Sequence, residues 1–320
     1  MKKIIYFELI IVITLCLFLA KIIFSNQKKK EKFGYNNNFA IIQRNISISA
    51  RGLMAYYFIN LGCAIDYIHK GYIPLIDLIS HKNIFNGFNT TKNQDNPWEI
   101  FFHQPFDFKL KDVIIKAKNI KYVFCERSTL GPHFNIFDNK ILIHYWHNIA
   151  KIYMPIKQEF FNDARIKSKY LFKGSNNILG ILIRGTDYIA CKPHGHPIQP
   201  NPKTVYKDII NFDNKYKYDY YFLTTEDEII RDKFIKKFGK KIKYIKSKVN
   251  LNYNYKNKKL LASNYNIKGN ISFMKIYLIN IIILSKSLDL IISKTGGSLS
   301  ALIIGKGFRN IKVYNIGWYK

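Results

Sequence analysis

The sequence predicts an α/β protein built around parallel β-sheets, and two observations predict this fold class. First, short apolar runs bounded by turn residues alternate with segments of helical length in the C-terminal half. Such runs are typical of buried strands, and their alternation with helices is typical of a mostly parallel sheet. Second, two of these runs end directly in loops rich in glycine, hydroxyl or positively charged residues. Ligands of open α/β sheets bind at the carboxyl ends of the strands, so a functional site is expected at these loops.

The C-terminal half shows the alternation most clearly. The predicted strands cover residues 178–183, 220–223, 242–245 and 288–292, and the predicted helices cover 204–210, 226–238, 271–285 and 299–304. The third of these helices is very apolar, but Lys275 and Lys286 bracket a run too short to cross a bilayer. We therefore expect it to cover the sheet.

The preceding part of the chain predicts a second unit of the same kind. Its predicted elements are a helix over 52–70, strands over 72–76 and 122–125, and a helical stretch over 145–166 that Pro155 interrupts. We place the boundary between the units near Gly174. The sequence thus predicts two Rossmann-like lobes, residues 40–174 and residues 175–320.

Residues 1–25 are predicted to form a single transmembrane helix. An apolar run from Ile4 to Ala20 is broken only by Glu8 and Thr14, and its length is about that of a bilayer-spanning helix. No small-residue cleavage site follows, which disfavours a removable signal peptide. A polar linker rich in lysine and asparagine is predicted over residues 26–39.

The charges that flank this segment predict its orientation. The lysines that follow it are Lys28, Lys29, Lys30 and Lys32, whereas only Lys2 and Lys3 precede it. The positive-inside rule then places the large C-terminal part in the cytoplasm. The excess is modest, so the opposite topology stays open.

Composition limits the range of functions. The chain has 320 residues, 48% of them hydrophobic, which is ample for one large or two medium-sized domains. A formal net charge of +30 would ordinarily suggest nucleic acid, but the lysines are spread over the whole sequence and no nucleic-acid-binding motif is present. We therefore expect no nucleic-acid partner. The charge favours anionic lipid head groups and a phosphorylated substrate instead.

The cysteines predict neither a disulfide nor a zinc site. They are Cys16, Cys63, Cys125 and Cys191, and they lie far apart without paired spacing. Reduced thiols fit a cytoplasmic domain.

Arg184 stands at the carboxyl end of the predicted strand 178–183, in the segment RGTD. A fixed cation with a bidentate fork at such an edge suits a phosphate or diphosphate. The alternative is an Arg–Asp pair that only fixes the loop. Asp187, three residues on, would either orient Arg184 or act as a base towards an acceptor. We favour orientation, because an adjacent arginine makes a carboxylate a weaker base.

A second loop follows the strand 288–292 and precedes an apolar helix. It reads Ser-Lys-Thr-Gly-Gly-Ser over residues 293–298. Backbone N–H groups at a helix N-terminus and the helix dipole both favour an anion, and the glycines let a ligand approach the main chain. The alternative is an ordinary turn with Ser298 as the N-cap.

Several segments in order resemble those of fucosyltransferase-like glycosyltransferases. RGTDY with its HPIQP tail, YFLTTEDEII and SKTGGSLSALIIGKGF resemble the nucleotide-binding half of these enzymes. GLMAYYFINLGCAIDYIHKGYIPLIDL and NPWEIFFHQP resemble the amino-terminal half of bacterial members. The resemblance runs from Gly52 to the C-terminus. It implies a GT-B-type arrangement in which two Rossmann-like lobes face a cleft, a nucleotide-sugar binds the C-terminal lobe, and no metal is required.

The resemblance also implies roles for individual residues. Arg184 corresponds to the arginine that grips the donor β-phosphate. The pyrophosphate loop corresponds to Ser293, Thr295, Gly296, Gly297 and Ser298, and the other donor-binding candidates are Thr186, Glu226 and Asp227. Two positions depart from the family pattern: Leu182 replaces a histidine near the base, and Gly185 replaces a frequent second arginine.

The acidic and histidine candidates have structural alternatives. Glu226 and Asp227 open a predicted helix, where the dipole favours acidic residues without any ligand. His194 and His196 have the spacing of a metal-binding pair, but no carboxylate or cysteine partner is suitably spaced. We therefore predict no metal site and favour a role in loop structure or an acceptor contact.

The acceptor side offers weaker candidates. Arg51 and Gly52 precede the first predicted helix, where an exposed arginine at a helix N-terminus is the alternative. Glu99 and His103 are spaced to share a helical face, so one of them is a candidate to reach an acceptor. The aromatic residues between them and just before Glu99 are expected in the core.

The sequence thus predicts a membrane-anchored glycosyltransferase that builds a surface polysaccharide or glycolipid. The resemblance implies GDP-fucose as co-substrate, inversion at the anomeric carbon and no cofactor. The alternatives are another GDP- or UDP-sugar donor, and a catalytically inactive lobe pair that tethers glycan-assembly machinery to the membrane. A nucleic-acid-binding protein ranks last.

Overall fold

The computed structural model describes residues 34–44, 52–81, 83, 85, 95–125, 130–246 and 271–320. The strands of these residues form two parallel sheets. They are β1 (Asn38–Gln43), β2 (Ile73–Ile76), β3 (Asn119–Phe124), β4 (Ile178–Leu182), β5 (Tyr220–Thr224), β6 (Ile242–Lys243), β7 (Asp289–Ser293) and β8 (Asn310–Tyr314).

The described helices mostly connect successive strands. They are α1 (Leu53–His69), α2 (Trp98–Phe101), α3 (Leu110–Lys116), α4 (Lys140–Tyr153), α5 (Gln158–Phe172), α6 (Thr186–Cys191), α7 (Pro202–Tyr216), α8 (Glu228–Phe238), α9 (Ile271–Leu284) and α10 (Gly296–Ile304). Short 3-10 turns cover Pro105–Asp107, Phe134–Asp138 and Gly239–Lys241. The predicted α/β class with parallel sheets is confirmed.

The first lobe contains a three-stranded sheet in the order β2-β1-β3. Its central strand β1 was not predicted, and the predicted linker over 26–39 extends into it, since β1 begins at Asn38. Phe39 to Ile42 are buried, as expected for a strand with neighbours on both sides. The elements β1, α1 and β2 follow one another along the chain, and β1 and β2 pair in parallel. They form a strand–helix–strand unit.

The second lobe contains a five-stranded sheet in the order β6-β5-β4-β7-β8. Every neighbouring pair in it is parallel. The central strands β4 and β7 are fully buried, whereas in the edge strand β8 only Tyr314 is buried and Lys312 is exposed. The strand β8 was missed in the sequence because it has no continuous apolar run.

One hydrophobic core spans both lobes. It includes buried residues of α1, α4, α5, α9 and α10, together with Trp98, Phe101 and Phe102, as predicted for these aromatics. The phenol of Tyr57 on α1 donates to the carbonyl of Met154, and α10 packs against α1. The boundary expected near Gly174 stays a prediction: the second sheet begins just beyond it, but α4 and α5, which precede it, pack on α10 and α9.

Cys63 and Cys125 form a disulfide, with their Cα atoms 6.3 Å apart. This corrects the expectation of unpaired thiols. The two residues are 62 positions apart in sequence, so their proximity depends on how α1 packs against the end of β3, which spacing alone does not reveal. Cys191 is not part of a disulfide.

The predicted transmembrane helix stays a prediction. Within them, no helix is both long and apolar enough to cross a bilayer. The segment predicted as a transmembrane helix, residues 1–25, lies outside the described residues.

Candidate active site

The candidate site lies at the carboxyl edge of the second sheet, where β4 and β7 are neighbours. The chain leaves β4 towards β5 on one side and leaves β7 towards β8 on the other. This reversal of strand order is a topological switch point, and it opens a crevice between the two loops. The loops are the two that the sequence singled out, after Leu182 and after Ile292.

Arg184 is held in place from two directions. Its Nε lies 3.1 Å from the Glu226 Oε1, and its guanidinium lies 4.8 Å from the centre of the Tyr188 ring. The same Glu226 oxygen accepts a hydrogen bond of 2.9 Å from the Gly185 N–H. Because 24% of the Arg184 side chain stays exposed, the result is an oriented cation that a ligand can reach.

Gln199 joins the two loops, and the sequence analysis did not single it out. Its Oε1 accepts a hydrogen bond of 2.7 Å from the Ser293 hydroxyl and one of 3.3 Å from the main-chain N–H of Arg184. Its Nε2 donates to the Pro197 carbonyl. The buried amide thus fixes the separation of the loop after β4 and the loop after β7. Gln199 belongs to the HPIQP segment, which the sequence resemblance had already drawn attention to. Its role could not be inferred there, because its partner Ser293 is 94 residues away.

The loop after β7 begins α10 with a capped turn. Thr295 is the N-cap, and its hydroxyl oxygen accepts from the Ser298 N–H at 3.2 Å. The alternative role of Ser298 as N-cap is therefore wrong. The hydroxyls of Ser293, Thr295 and Ser298 are buried and hydrogen-bonded within the protein. An anion at this turn would meet the main-chain N–H groups of Gly296 and Gly297, which point out of the first helical turn.

Tyr277 of α9 lies under this turn, and sequence reasoning missed it. A Cβ added to Gly297 would lie 3.0 Å from the Tyr277 hydroxyl oxygen. Burial raises the pKa of Tyr277 to about 12, with Arg184 lowering it and Glu226 raising it. The phenol therefore stays protonated at neutral pH and is a hydrogen-bond donor beside Arg184 and the glycines.

Glu226 and Asp227 have different roles despite being adjacent. Asp227 is the N-cap of α8, where its carboxylate accepts from the Ile230 N–H at 3.1 Å, and it is 2% exposed. It also packs against Gly185, where an added Cβ would lie 2.2 Å from the Asp227 Oδ2. Only glycine fits at position 185, which explains the absence of a second arginine there. Glu226 lies in the crevice, whereas Asp227 has the structural role.

The remaining residues of this loop are placed as follows. Thr186 and Asp187 begin α6, but their side chains lie outside the described part of the structure. Arg184 has Glu226 as a carboxylate partner, so the orientation of Arg184 by Asp187 stays a prediction. The Nδ1 of His196 and the Tyr188 hydroxyl are joined by a hydrogen bond of 3.1 Å. His196 thereby supports the Tyr188 ring, on which Arg184 stacks.

His194 is exposed in the same loop. Backbone hydrogen bonds join this loop to the C-terminal tail, including one from Ile198 N–H to Gly317 O. Among the described residues, no group of three His, Cys, Asp or Glu side chains has the arrangement of a metal site.

Of the acceptor-side candidates before the second lobe, the structure describes Gly52 and Glu99. Arg51 lies outside the described residues, and Gly52 is the N-cap of α1. Glu99 accepts from the Gln104 Nε2 and from the Leu110 N–H, and thereby links α2 to α3. The prediction that Glu99 and His103 share a helical face is wrong, because α2 ends at Phe101 and Phe102 is extended.

Two further cations were missed. Lys294 lies in the loop after β7, is 12% exposed and lies 4.0 Å from Asp138 of the first lobe. Arg44 directly follows β1, as Arg184 follows β4, but it is buried, donates to Asn60 Oδ1 and lies over the Tyr56 ring. For Arg44, the available sequence signal was an arginine shortly after the apolar run Phe39 to Ile42.

Comparison with solved structures finds the fucosyltransferase NodZ from Bradyrhizobium. The two chains share 11% sequence identity and superimpose with a TM-score of 0.50 over 84% of this chain and 94% of NodZ. This chain has a fucosyltransferase-like glycosyltransferase fold. Other similar structures are NodZ alpha-1,6-fucosyltransferase co-crystallized with GDP (11% identity, TM-score 0.48, 84% and 93% covered) and POFUT1 in complex with GDP (10%, 0.39, 87% and 74%). No protein-family model matches the sequence, and no curated protein sequence matches it either.

The fold similarity agrees with the resemblance drawn from the sequence segments. The two loops lie at one crevice of the second lobe. Leu182, at the position where the family usually has histidine, is 4% exposed and its Cδ1 lies beside Gly297. The crevice wall is therefore apolar at this point.

Proposed function

We propose that this protein is a glycosyltransferase that binds a nucleoside diphosphate sugar in the crevice between β4 and β7. The observation that carries the proposal is the position of Arg184, which Glu226 and Tyr188 hold at the switch point beside the glycine turn of α10. An oriented guanidinium and helix N-terminal N–H groups together provide a site for a diphosphate.

Glycosyl transfer breaks the bond between the anomeric carbon and the β-phosphate oxygen, and negative charge develops on the leaving diphosphate. Arg184, the N–H groups of Gly296 and Gly297, and the Tyr277 hydroxyl would stabilise this charge. The acceptor hydroxyl oxygen forms the new bond to the anomeric carbon and gives up its proton. Asp187 is the candidate to accept that proton or to orient Arg184, as the sequence suggests.

The donor we propose is GDP-fucose, with inversion and without a metal ion. This assignment follows the sequence resemblance and the fucosyltransferase-like fold. The acceptor we propose is a surface glycan or glycolipid, and the predicted N-terminal transmembrane helix would hold the enzyme near it. The catalytic domain would then lie on the cytoplasmic side, as the lysine flanks predict.

A different nucleotide-sugar is the second candidate. Leu182 and Gly185 replace the histidine and second arginine of the fucosyltransferase pattern, and the contact with Asp227 excludes any side chain at position 185. These substitutions leave the diphosphate site intact and change its surroundings. A UDP-sugar or another GDP-sugar would use the same cation and glycine turn.

Thermal unfolding with GDP, UDP and CMP tests the proposal. A nucleotide present at 100 times its Kd stabilises the native state by about 2.7 kcal/mol, which gives a clear rise in Tm. We expect GDP to raise the Tm most, and a larger rise with UDP would favour the second candidate. If no nucleoside diphosphate raises the Tm, the diphosphate site is wrong.

Release of GDP from GDP-fucose, measured with and without EDTA, separates an enzyme from an inactive tether. An active transferase releases GDP slowly in water and faster with acceptor glycans. Binding without any release would indicate a catalytically inactive lobe pair. Loss of release in EDTA would contradict the metal-independent mechanism.

A further inference from the structure

Helix α5 carries apolar side chains on its outer face. Phe160, Ala164 and Phe172 pack into the core, as in any amphipathic helix. On the outside, Ile166 and Tyr170 stand four residues apart and are 63% and 86% exposed. Residues four apart lie on the same side of a helix, so the two form one apolar stripe that faces solvent.

Cations lie beside this stripe, and the exposed Glu159 and Asp163 continue it towards the start of α5. Arg165 and Lys169 on α5, and Lys173 directly after its last residue, are spaced at intervals of four and are all exposed. Lys243 of β6 joins Lys169, Lys173, Ile166 and Tyr170 around a shallow groove of about 730 Å³. Among the described residues, no carboxylate lines the groove.

A larger cavity of about 1260 Å³ adjoins the neighbouring side of α5, and Arg165 and Lys169 lie on its wall. Its described lining combines apolar side chains of α5, α9 and α10 with Lys151, Lys286 and Lys306, and it includes no acidic residue. The cavity lies near Ile178 and Leu288, at the amino-terminal edge of β4 and β7. It is therefore at the opposite edge of the sheet from Arg184.

We propose that this face of α5, with the neighbouring lysines, lies on the surface of a bilayer that contains anionic phospholipids. The lysines are spread over the whole chain, so charge alone does not single out this face. The exposed Ile166 and Tyr170 single it out, because they share a groove with Lys169, Lys173 and Lys243. Interfacial segments place apolar and aromatic side chains in the head-group region and cations beside lipid phosphates.

This second contact would orient the catalytic domain. With the amino-terminal edge of the second sheet against the lipid, the carboxyl edge and its crevice would face the aqueous phase. A water-soluble nucleotide-sugar arrives from that side. A free phosphate ion would use the cations but would gain nothing from Ile166 and Tyr170, so a bilayer fits the face better.

The test places an apolar fluorescent probe on the face of the full-length chain. Tyr170→Cys, with Cys16 and Cys191 replaced by serine, takes a thiol-reactive NBD label. The same label at Ile115→Cys, 69% exposed on α3 of the first lobe, is the matched control. Both proteins are reconstituted in vesicles of phosphatidylcholine alone or with phosphatidylglycerol, and quenching by nitroxide-labelled lipid reports contact.

We expect quenching at position 170 that depends on phosphatidylglycerol, and little quenching at position 115. Lys169→Glu and Lys173→Glu should each weaken the contact by about fivefold or more, and high salt should weaken it too. Lys111→Glu is the control for charge reversal away from the face. Nucleotide binding should be unchanged in all of these proteins, so the result is independent of the donor site.

Four results would overturn the proposal. One is equal quenching at positions 170 and 115, and another is quenching at 170 that ignores lipid charge and both lysine variants. The third is a spectral change at position 170 with soluble glycerol phosphate as large as that with vesicles, which would indicate a site for a free phosphate. A chain that does not associate with the vesicles at all would also contradict it.

Discussion

Arg44 and Arg184 occupy similar positions in the two lobes: Arg44 directly follows β1, and Arg184 lies two residues after the end of β4. Their surroundings differ. Arg44 is buried against Asn60 and Tyr56, whereas a quarter of the Arg184 side chain is exposed. Only Arg184 can contact a ligand without rearrangement of the protein. At the scale of single residues, exposure separates the candidate ligand contact from the structural arginine.

Replacing Arg184 tests its role as the diphosphate contact. Charge-assisted hydrogen bonds of this kind contribute about 1.5–3 kcal/mol, so Arg184→Ala should weaken binding of GDP or UDP by roughly ten- to a hundredfold. Arg184→Lys should not restore the affinity, because an ammonium lacks the bidentate fork. Calorimetric titration of diphosphates and of the nucleosides measures both effects.

The nucleosides are the internal control for this variant. Guanosine and uridine lack phosphate, so their binding should be nearly indifferent to Arg184→Ala. Circular dichroism verifies the fold. If the folded variant binds GDP and UDP as well as the wild type does, Arg184 is structural.

The buried His81 should make the stability of the first lobe depend on pH. Burial lowers the pKa of His81 from 6.5 to about 4, with Asp77 raising it and Arg44 lowering it further. The unfolded chain therefore binds a proton at His81 before the native state does. Stability should fall as the pH decreases from about 6.5 to about 4, and this contribution should not change below that range.

Denaturant unfolding at a series of pH values measures this loss. His81→Gln should flatten the decline between pH 6.5 and 4, because glutamine does not titrate. His194→Gln, at an exposed histidine of the second lobe, should leave the decline as it is in the wild type. An unchanged slope in His81→Gln would mean that other groups cause the acid sensitivity.

At the scale of elements, capped helix starts build the crevice. Thr295 caps α10, and Asp227 caps α8. Each capping side chain is buried and satisfies main-chain N–H groups of its helix, which fixes the direction of the turn. The glycines differ in the space around them. A Cβ added at Gly185 would overlap the Asp227 side chain, whereas no atom lies within 4 Å of a Cβ added at Gly296.

Alanine at these two glycines should have opposite effects. Gly185→Ala places a Cβ 2.2 Å from Asp227 Oδ2, so we expect strong destabilisation of the second lobe. Gly296→Ala should fold at least as well as the wild type, because alanine favours a helix by about 1 kcal/mol over glycine in the helix interior and somewhat less at its first turn. Its methyl group would occupy space beside the bound diphosphate and should weaken GDP binding.

Thermal unfolding and GDP titration on both variants check this pair. The informative outcome is separation of the two readouts, with stability lost in one variant and affinity lost in the other. A Gly296→Ala protein with wild-type GDP affinity would place the diphosphate away from the first turn of α10.

At the scale of the whole molecule, a shared core and one disulfide hold the fold together. The core spans both lobes, and the Cys63–Cys125 disulfide ties α1 to the end of β3. Disulfides persist in oxidising compartments, whereas the lysine flanks predict a cytoplasmic domain. Whether the pair is oxidised in cells therefore bears on the topology that the sequence left open.

Replacing both cysteines should lower stability without changing the site. For a native disulfide that closes a loop of this length, the expected loss is about 2–5 kcal/mol. Cys63→Ala with Cys125→Ala is compared with Cys191→Ser, which alters a cysteine outside the disulfide and should be close to wild type. Urea unfolding measures the loss, and alkylation of acid-quenched cells shows whether the pair resists labelling before reduction. Equal stability of the double variant and the wild type would mean that the disulfide adds nothing to the fold.

Four of the five strands of the second lobe and the two loops at its edge could be predicted from sequence. Continuous apolar runs such as 178–183 and the glycine turn after Ile292 are local patterns, and local patterns depend only on neighbouring residues. The strand β1 was missed although Phe39 to Ile42 are apolar and buried, because the polar segment before it was extended too far. Arg184 was found because a charge directly after an apolar run is visible without any structure.

Only the tertiary structure decided which residues meet in the crevice. Gln199 bonds to Ser293 across 94 positions, Tyr277 reaches Gly297 from α9, and Glu226 rather than a residue of the same loop pairs with Arg184. Cys63 and Cys125 likewise meet across 62 positions. These contacts follow from the order of strands in the sheets and the packing of helices on them. Neither is encoded in a local run of residues, because each depends on burial shared by segments far apart in the chain.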